Sequence, residues 1–178
     1  MAKILVTISN GFEEIEAVSI IDICRRAGIE VVTAGVEDRV LIGAHSIKIE
    51  MDKRVDEVNS SDFDMIVLPG GLPNAFTLAD DNDVQRLLKE FEEKNKKIGA
   101  ICAAPYALHK AGVLNQNYTC YKKLEKKIKD DGYQDDKNVV TDNNVITSRG
   151  PATAIDFALE IVKTLKGDDI YFQVKTGL

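Results

Sequence analysis

The sequence predicts an α/β protein, a mostly parallel sheet with helices on both faces, and three observations carry the prediction. Short apolar runs alternate with amphipathic stretches from one end to the other. The runs are apolar at nearly every position, as expected of strands covered on both sides. Glycine, proline and asparagine cluster where the runs stop, and the alternation itself implies parallel strands joined by helical crossovers.

Each element follows in order. Residues 3–9 (KILVTIS) read as a buried strand. Residues 13–26 read as a helix with carboxylates in the first turn, Arg25 and Arg26 in the last, and Gly28 just beyond. Residues 30–36 (EVVTAGV) are a second strand, and residues 39–51 a hairpin around Gly43. Residues 64–68 (DMIVL) form a strand that runs into Pro69-Gly70-Gly71. Residues 83–94 place Val84, Leu87, Leu88 and Phe91 on one helical face. Residues 97–103 (KIGAICA) are a strand that turns into a helix near Pro105. A short strand is expected over 118–121, a hairpin over 139–148 through Asp142-Asn143-Asn144, and a long helix over 151–165 closed by Gly167.

A chain of 178 residues fits one domain spanning 1–178, with neither linker nor repeat. It is long enough to bury a core without disulfides or metals as staples. A hydrophobic fraction of 44% with 29% charged residues excludes disordered and fibrous classes. The net charge of −6 argues against a nucleic-acid partner, since phosphate binding takes a clustered basic face. The nearest such cluster, Lys122, Lys123, Lys126, Lys127 and Lys129, is interrupted and flanked by Glu125, Asp130 and Asp131 and reads as a solvated face. No apolar run approaches the ~20 residues of a membrane helix. The N-terminus is too short and too strand-like for a secretion signal, so the cytoplasm is the default compartment. Cys24, Cys102 and Cys120 form no C-x-x-C pair and are expected as free thiols.

In parallel sheets ligands bind at the carboxyl ends of the strands, which directs attention to the loops after Ser9, Leu68, Ala100 and Ser148. The first holds Glu13, Glu14 and Glu16, acids that the helix dipole alone can explain. The second, Pro69-Gly70-Gly71-Leu72-Pro73, lets backbone N–H groups face a ligand, though a plain tight turn is equally open. It has neither nucleotide-binding glycine spacing nor a phosphate-binding G-K-[ST] ending. The third places Cys102 among small residues where a strand turns into a helix, as a nucleophile elbow does, and the helix start is expected to lower its pKa. Packing explains Cys24, on an apolar stripe with Val18 and Ile21; Cys120 stays open, with a structural role preferred. His109 lies about 10 Å along the helix from Cys102, and His45 sits in the early hairpin, so a carboxylate is the better partner for the thiol. Neither a metal site nor a cofactor is expected.

The segments GFEEIEA, VLPGG, AICAAPYAL and TSRGPATAIDFAL, in this order, resemble the ThiJ/PfpI superfamily, and within it the DJ-one branch. The resemblance runs over nearly the whole chain. It implies a flavodoxin-like three-layer sandwich that works as a homodimer. It also implies a reactive Cys102 partnered by a protonated Glu16, and an oxyanion hole from the amides of Gly71, Leu72, Cys102 and Ala103. Arg26 is expected near the dimer contact, with Arg149 and Pro151 walling the pocket. His45 could enter the site from a partner subunit, and Tyr121 stands where the branch often has a histidine. Ala103 follows the cysteine where the protease-like branch has histidine, so peptidase activity is not expected. Two functions fit. One is a cysteine-dependent glyoxalase or deglycase acting on methylglyoxal, related reactive aldehydes or glycated substrates. The other is a redox-sensing, stress-protective protein whose Cys102 oxidises to sulfinate. A thiamine-pathway role has no supporting feature.

Overall fold

A computed structural model describes residues 1–178. Its strands are β1 (Lys3–Ile8), β2 (Glu30–Gly35), β3 (Val40–Ile42), β4 (Lys48–Glu50), β5 (Lys53–Arg54), β6 (Met65–Leu68), β7 (Lys97–Ile101), β8 (Val139–Asp142) and β9 (Val145–Ser148). The helices are α1 (Glu14–Arg26), α2 (Leu72–Asp80), α3 (Asn82–Glu93), α4 (Pro105–Ala111), α5 (Glu125–Ile128), α6 (Ala154–Lys166) and α7 (Asp168–Thr176). Seven strands form one sheet in the order β5-β2-β1-β6-β7-β9-β8. All neighbours are parallel except β8, which returns antiparallel beside β9. The β3–β4 hairpin stands apart as its own two-stranded ribbon.

The continuous apolar runs are explained by what covers them. Along β1, Ile4, Val6 and Ile8 pack with α1 and α6 residues such as Ile20, Cys24, Phe157 and Ile161. Leu5 points the other way and joins Leu78, Leu87, Leu88, Phe91 and Leu108 of α2, α3 and α4. The sheet is thus the middle layer between two apolar clusters, which is the expected three-layer sandwich. Local signals behave as their chemistry dictates: Asp81 caps α3 through Val84 N at 2.9 Å, and Gly112 ends α4 with a left-handed φ of 75°.

Several expectations are corrected. Residues 118–121 form no strand, only a single bridge between Tyr118 and Tyr133, while the Tyr118 hydroxyl donates to the Lys129 carbonyl. Those side-chain and loop contacts take over the pairing that a strand would need. The helix expected from Pro151 begins with a 3-10 turn, Pro151–Thr153, and becomes α-helical at Ala154. Cys24 is buried, but not on a stripe with Val18 and Ile21. The inward face of α1 is Glu16, Ala17, Ile20, Ile23 and Cys24, and Val18 is 48% exposed. Helices α2, α5 and α7 and strand β5 were not expected at all. No helix is long and apolar enough to cross a membrane.

Phe91 is fully buried among α3, α4 and the sheet. Phe91→Ala should lower the unfolding free energy by about 3–5 kcal/mol, measured by urea denaturation.

Candidate active site

The strands β1, β6, β7 and β9 are consecutive neighbours in the sheet, so the loops at their carboxyl ends converge. Each delivers one part of a site: Glu16 from α1 after β1, Gly70 and Gly71 after β6, Cys102 after β7, Ser148 and Arg149 at the end of β9.

Cys102 has a φ of 64°, a left-handed conformation that a residue with a Cβ rarely adopts. It is held there by its backbone: its N–H donates to Ser148 O at 2.9 Å, and its carbonyl accepts from Tyr121 N at 2.7 Å. The sulfur is nearly enclosed, with the residue 8% exposed. The backbone N–H groups of Gly71 and Ala103 both donate toward it. Leu72, which follows Gly71, opens α2 with a half-exposed side chain.

Glu16 is 0% exposed. Its Oε2 accepts from Gly70 N at 2.7 Å, and its carboxyl also interacts with the Cys102 thiol. Its other oxygen, Oε1, is buried without a further polar partner. Gly70 is the residue between the pair. A methyl group placed on it would stand 2.6 Å from Glu16 Oε2 and 3.0 Å from Cys102 Sγ, so no side chain fits there. Burial raises the Glu16 pKa from 4.5 to about 7, against the lowering effect of the Gly70 hydrogen bond.

The expected lowering of the thiol pKa is overturned. Burial, and then the neighbouring Glu16 charge, push the Cys102 thiol up, outweighing the amides of Gly71 and Ala103. Glu16 is therefore the group of this pair that titrates near neutrality, with the thiol keeping its proton.

The three acids of the first loop have three separate partners. Glu13 caps α1 through Ile15 N at 3.4 Å. Glu14, almost fully buried, anchors the β3–β4 hairpin: it accepts from His45 N at 2.6 Å and lies 2.9 Å from His45 Nδ1. His45 thus meets Glu14 within the same chain, with its side chain 70% exposed, and not the Cys102 sulfur. Arg26, expected near a dimer contact, pairs with Asp22 at 2.7 Å along α1.

Tyr121, Arg149 and Pro151 do come together. With Lys122, Asn138 and Gly150 they line a cleft of about 330 Å³. It lies next to the cysteine in the fold: Tyr121 N donates to Cys102 O, and Ser148, which precedes Arg149, accepts from Cys102 N. The Ser148 hydroxyl interacts with Thr153 Oγ1 at 2.7 Å and donates to Asn138 O at 2.7 Å, fixing the turn that carries Arg149. Cys120 is fully buried, beside Tyr121 and Glu125, and burial lifts its pKa to about 12. Its low exposure and raised pKa fit a packing residue.

One positioning residue has no counterpart among the expectations. Asn74, fully buried in α2, donates to Pro69 O at 2.8 Å and Gly70 O at 2.9 Å, and accepts from Ser9 N at 2.7 Å. It ties the end of β1 to the Gly70 turn. A lone amide four residues after that glycine was the only signal for it.

The folded protein holds a proton on Glu16 that the unfolded chain releases between pH 4.5 and about 7. The stability this confers is complete below pH 4.5 and lost as pH rises through about 7. Between pH 5 and 9, Glu16→Gln should therefore gain roughly 2–3 kcal/mol on the wild type in urea unfolding, since glutamine has no charge to bury. A constant difference across that range would contradict the assignment.

Known proteins resemble this chain in sequence and fold. The model of the DJ-1/PfpI family matches residues 2–164. Protein dj-1beta of Drosophila melanogaster is 39% identical over 177 residues, covering 98% of this chain and 95% of the relative. Its crystal structure superposes with a TM-score of 0.95 at 38% identity, covering 99% of this chain and 96% of that one. The glutathione-independent glyoxalase DJR-1.2 of Caenorhabditis elegans is 38% identical over 158 residues, 88% of this chain and 84% of the relative. The structure of oxidized Toxoplasma gondii DJ-1 aligns with a TM-score of 0.95 at 33% identity, over 99% of this chain and 97% of that one.

Proposed function

The chain belongs to the DJ-1/PfpI family, and on that premise we propose that it is a cysteine-dependent glyoxalase or deglycase acting on methylglyoxal and related reactive carbonyls. The observation that carries this reading is the pair itself: the Cys102 thiol and the fully buried Glu16 carboxyl converge on Gly70, where an added methyl group would stand 3.0 Å from the sulfur and 2.6 Å from Glu16 Oε2. A proton acceptor poised near neutrality is what the chemistry needs. The glyoxalase relative from Caenorhabditis elegans supports the reaction class.

The steps follow from the atoms present. The Cys102 sulfur adds to the aldehyde carbon of methylglyoxal, its proton passing to Glu16 and from there to the new alkoxide, which gives a hemithioacetal. The amides of Gly71 and Ala103 favour negative charge at this centre during the addition. Glu16 then removes the hydrogen from that carbon and returns a proton to the former ketone carbon, giving a thioester. Water cleaves the thioester, so that methylglyoxal and water become lactate and the thiol is regenerated. No outside oxidant or reductant is needed, because one carbon is oxidised as its neighbour is reduced.

A homodimer is part of this proposal. Ile15 and Val18 of α1 and Ile42 and Ile47 of the hairpin are all exposed. Val18 and Ile21 also border Ile49 across a shared groove. An apolar surface of this kind, on the two elements that Glu14 joins, suits a second copy of the chain.

Oxidative sensing is the second reading, favoured by the same carboxyl. Peroxide would convert the Cys102 sulfur to sulfenic and then sulfinic acid, each step releasing water. A protonated Glu16 would donate a hydrogen bond to the product. That a Toxoplasma gondii relative is described in an oxidized form supports this reading.

Lactate release from methylglyoxal should be lost in Cys102→Ser and fall on the order of 10²–10⁴-fold in Glu16→Gln. Equal turnover in the wild type and both variants would sink the enzymatic reading. Intact-mass analysis under graded peroxide separates the two functions: oxygen should appear on Cys102 before Cys24 or Cys120, and the reverse order would end the sensing proposal. Sedimentation should show a dimer that Val18→Asp converts to monomer.

A further inference from the structure

The cleft next to the Cys102 turn carries two cations that form no ion pair. Arg149 is half-buried, and neither its guanidinium nor the Lys122 ammonium takes part in any ion pair. Both line the 330 Å³ cavity with Tyr121 and Gly150. The Tyr121 ring sits over Gly150, where an added methyl group would come within 3.4 Å of its Cδ2, so the cleft has an apolar wall beside its charged one. Lys123, Lys126 and Lys127 follow Lys122 and are exposed without ion pairs as well. Asp156, which borders a neighbouring groove, accepts from Asn138 Nδ2 at 3.2 Å, and Glu125, three residues after Lys122, forms no ion pair with either cation.

Although Glu125, Asp130 and Asp131 interrupt and flank the lysines in sequence, the two cations that line the cleft itself form no ion pair. A partly desolvated arginine without a carboxylate is costly unless an anion uses it, and a guanidinium fork matches carboxylate or phosphate oxygens. Lys122, exposed at the cleft, raises the local concentration of anions there.

We infer that this cleft is an anion subsite and that the substrate is an acidic 2-oxoaldehyde, one that carries a carboxylate or phosphate beyond its ketone. This rests on the glyoxalase reading above. The aldehyde end would meet Cys102 while the charged end lies between Arg149 and Lys122. Tyr121 N and Ser148 O, the backbone partners of Cys102, bring the residues of the cleft next to the cysteine turn. Methylglyoxal, being neutral, would use only half of the site.

Two measurements test this separately. In the first, acetate and inorganic phosphate are titrated against the Cys102→Ser protein, and the backbone amides of Tyr121 and Gly150 are followed by NMR. Both signals should shift with one or both anions, and the dissociation constant should rise about 5–20-fold in Lys122→Gln and in Arg149→Gln and rise with added salt. Which anion binds tells carboxylate from phosphate. Unmoved cleft amides, or constants unchanged in both variants, would overturn the subsite whatever the enzyme turns over.

In the second, kcat/KM for 4,5-dioxopentanoate and for the phosphate ester of hydroxypyruvaldehyde is compared with that for methylglyoxal. At least one acidic substrate should lead by about tenfold, and Lys122→Gln should shrink that ratio. A ratio near one, with methylglyoxal turned over, would reject the acidic substrate class and leave the glyoxalase reading intact. Anion binding with no turnover of any oxoaldehyde would overturn the glyoxalase reading and, with it, the substrate class, and keep only the subsite.

Discussion

The site depends on a carboxyl group that water cannot reach. Glu16 is fully buried, and a buried charge is costly unless something satisfies it. The Gly70 N–H satisfies one oxygen, and the bare glycine backbone is what lets the carboxyl and the Cys102 sulfur share the remaining space. Everything nearby serves this arrangement. Asn74 fixes the Gly70 turn from below, and the Ser148 and Tyr121 backbone groups hold Cys102 in its left-handed conformation. Remove the water and the carboxyl titrates near neutrality; restore it and Glu16 becomes an ordinary glutamate.

Sheet order turns a dispersed sequence into one site. Glu16, Gly70, Cys102 and Arg149 lie far apart along the chain, and no local pattern connects them. They meet because β1, β6, β7 and β9 are adjacent and parallel, which points all four carboxyl ends the same way. The same order gives the two faces of the sheet their separate cores.

Much of this was legible in the sequence, and the parts that were not share a cause. Strands with unbroken apolar runs and the helix with Leu87, Leu88 and Phe91 announce themselves through burial, because burial fixes residue type. The elbow at Cys102 was legible from its small neighbours. Helix α2 was not, because its proline and glycine neighbours read as a turn, and Pro73 in fact sits in its first turn. The inward face of α1 was misjudged because the outward face is apolar too: Ile15 and Val18 are exposed while Glu16 is buried. Hydrophobic pattern alone inverts there. The direction of the thiol pKa was also illegible, since a sequence shows a helix start but not how completely the sulfur is enclosed or how close an acid lies.

The first turn of α1 has a mechanical meaning as well as a chemical one. Glu14 grips the hairpin through His45 and Ile47, and Glu16, about 3 Å further along the same helix axis, touches the sulfur. A rigid helical turn cannot yield at one of these residues and stay still at the other. The first turn of α1 thus joins the exposed ribbon and the enclosed site through two residues of one helix.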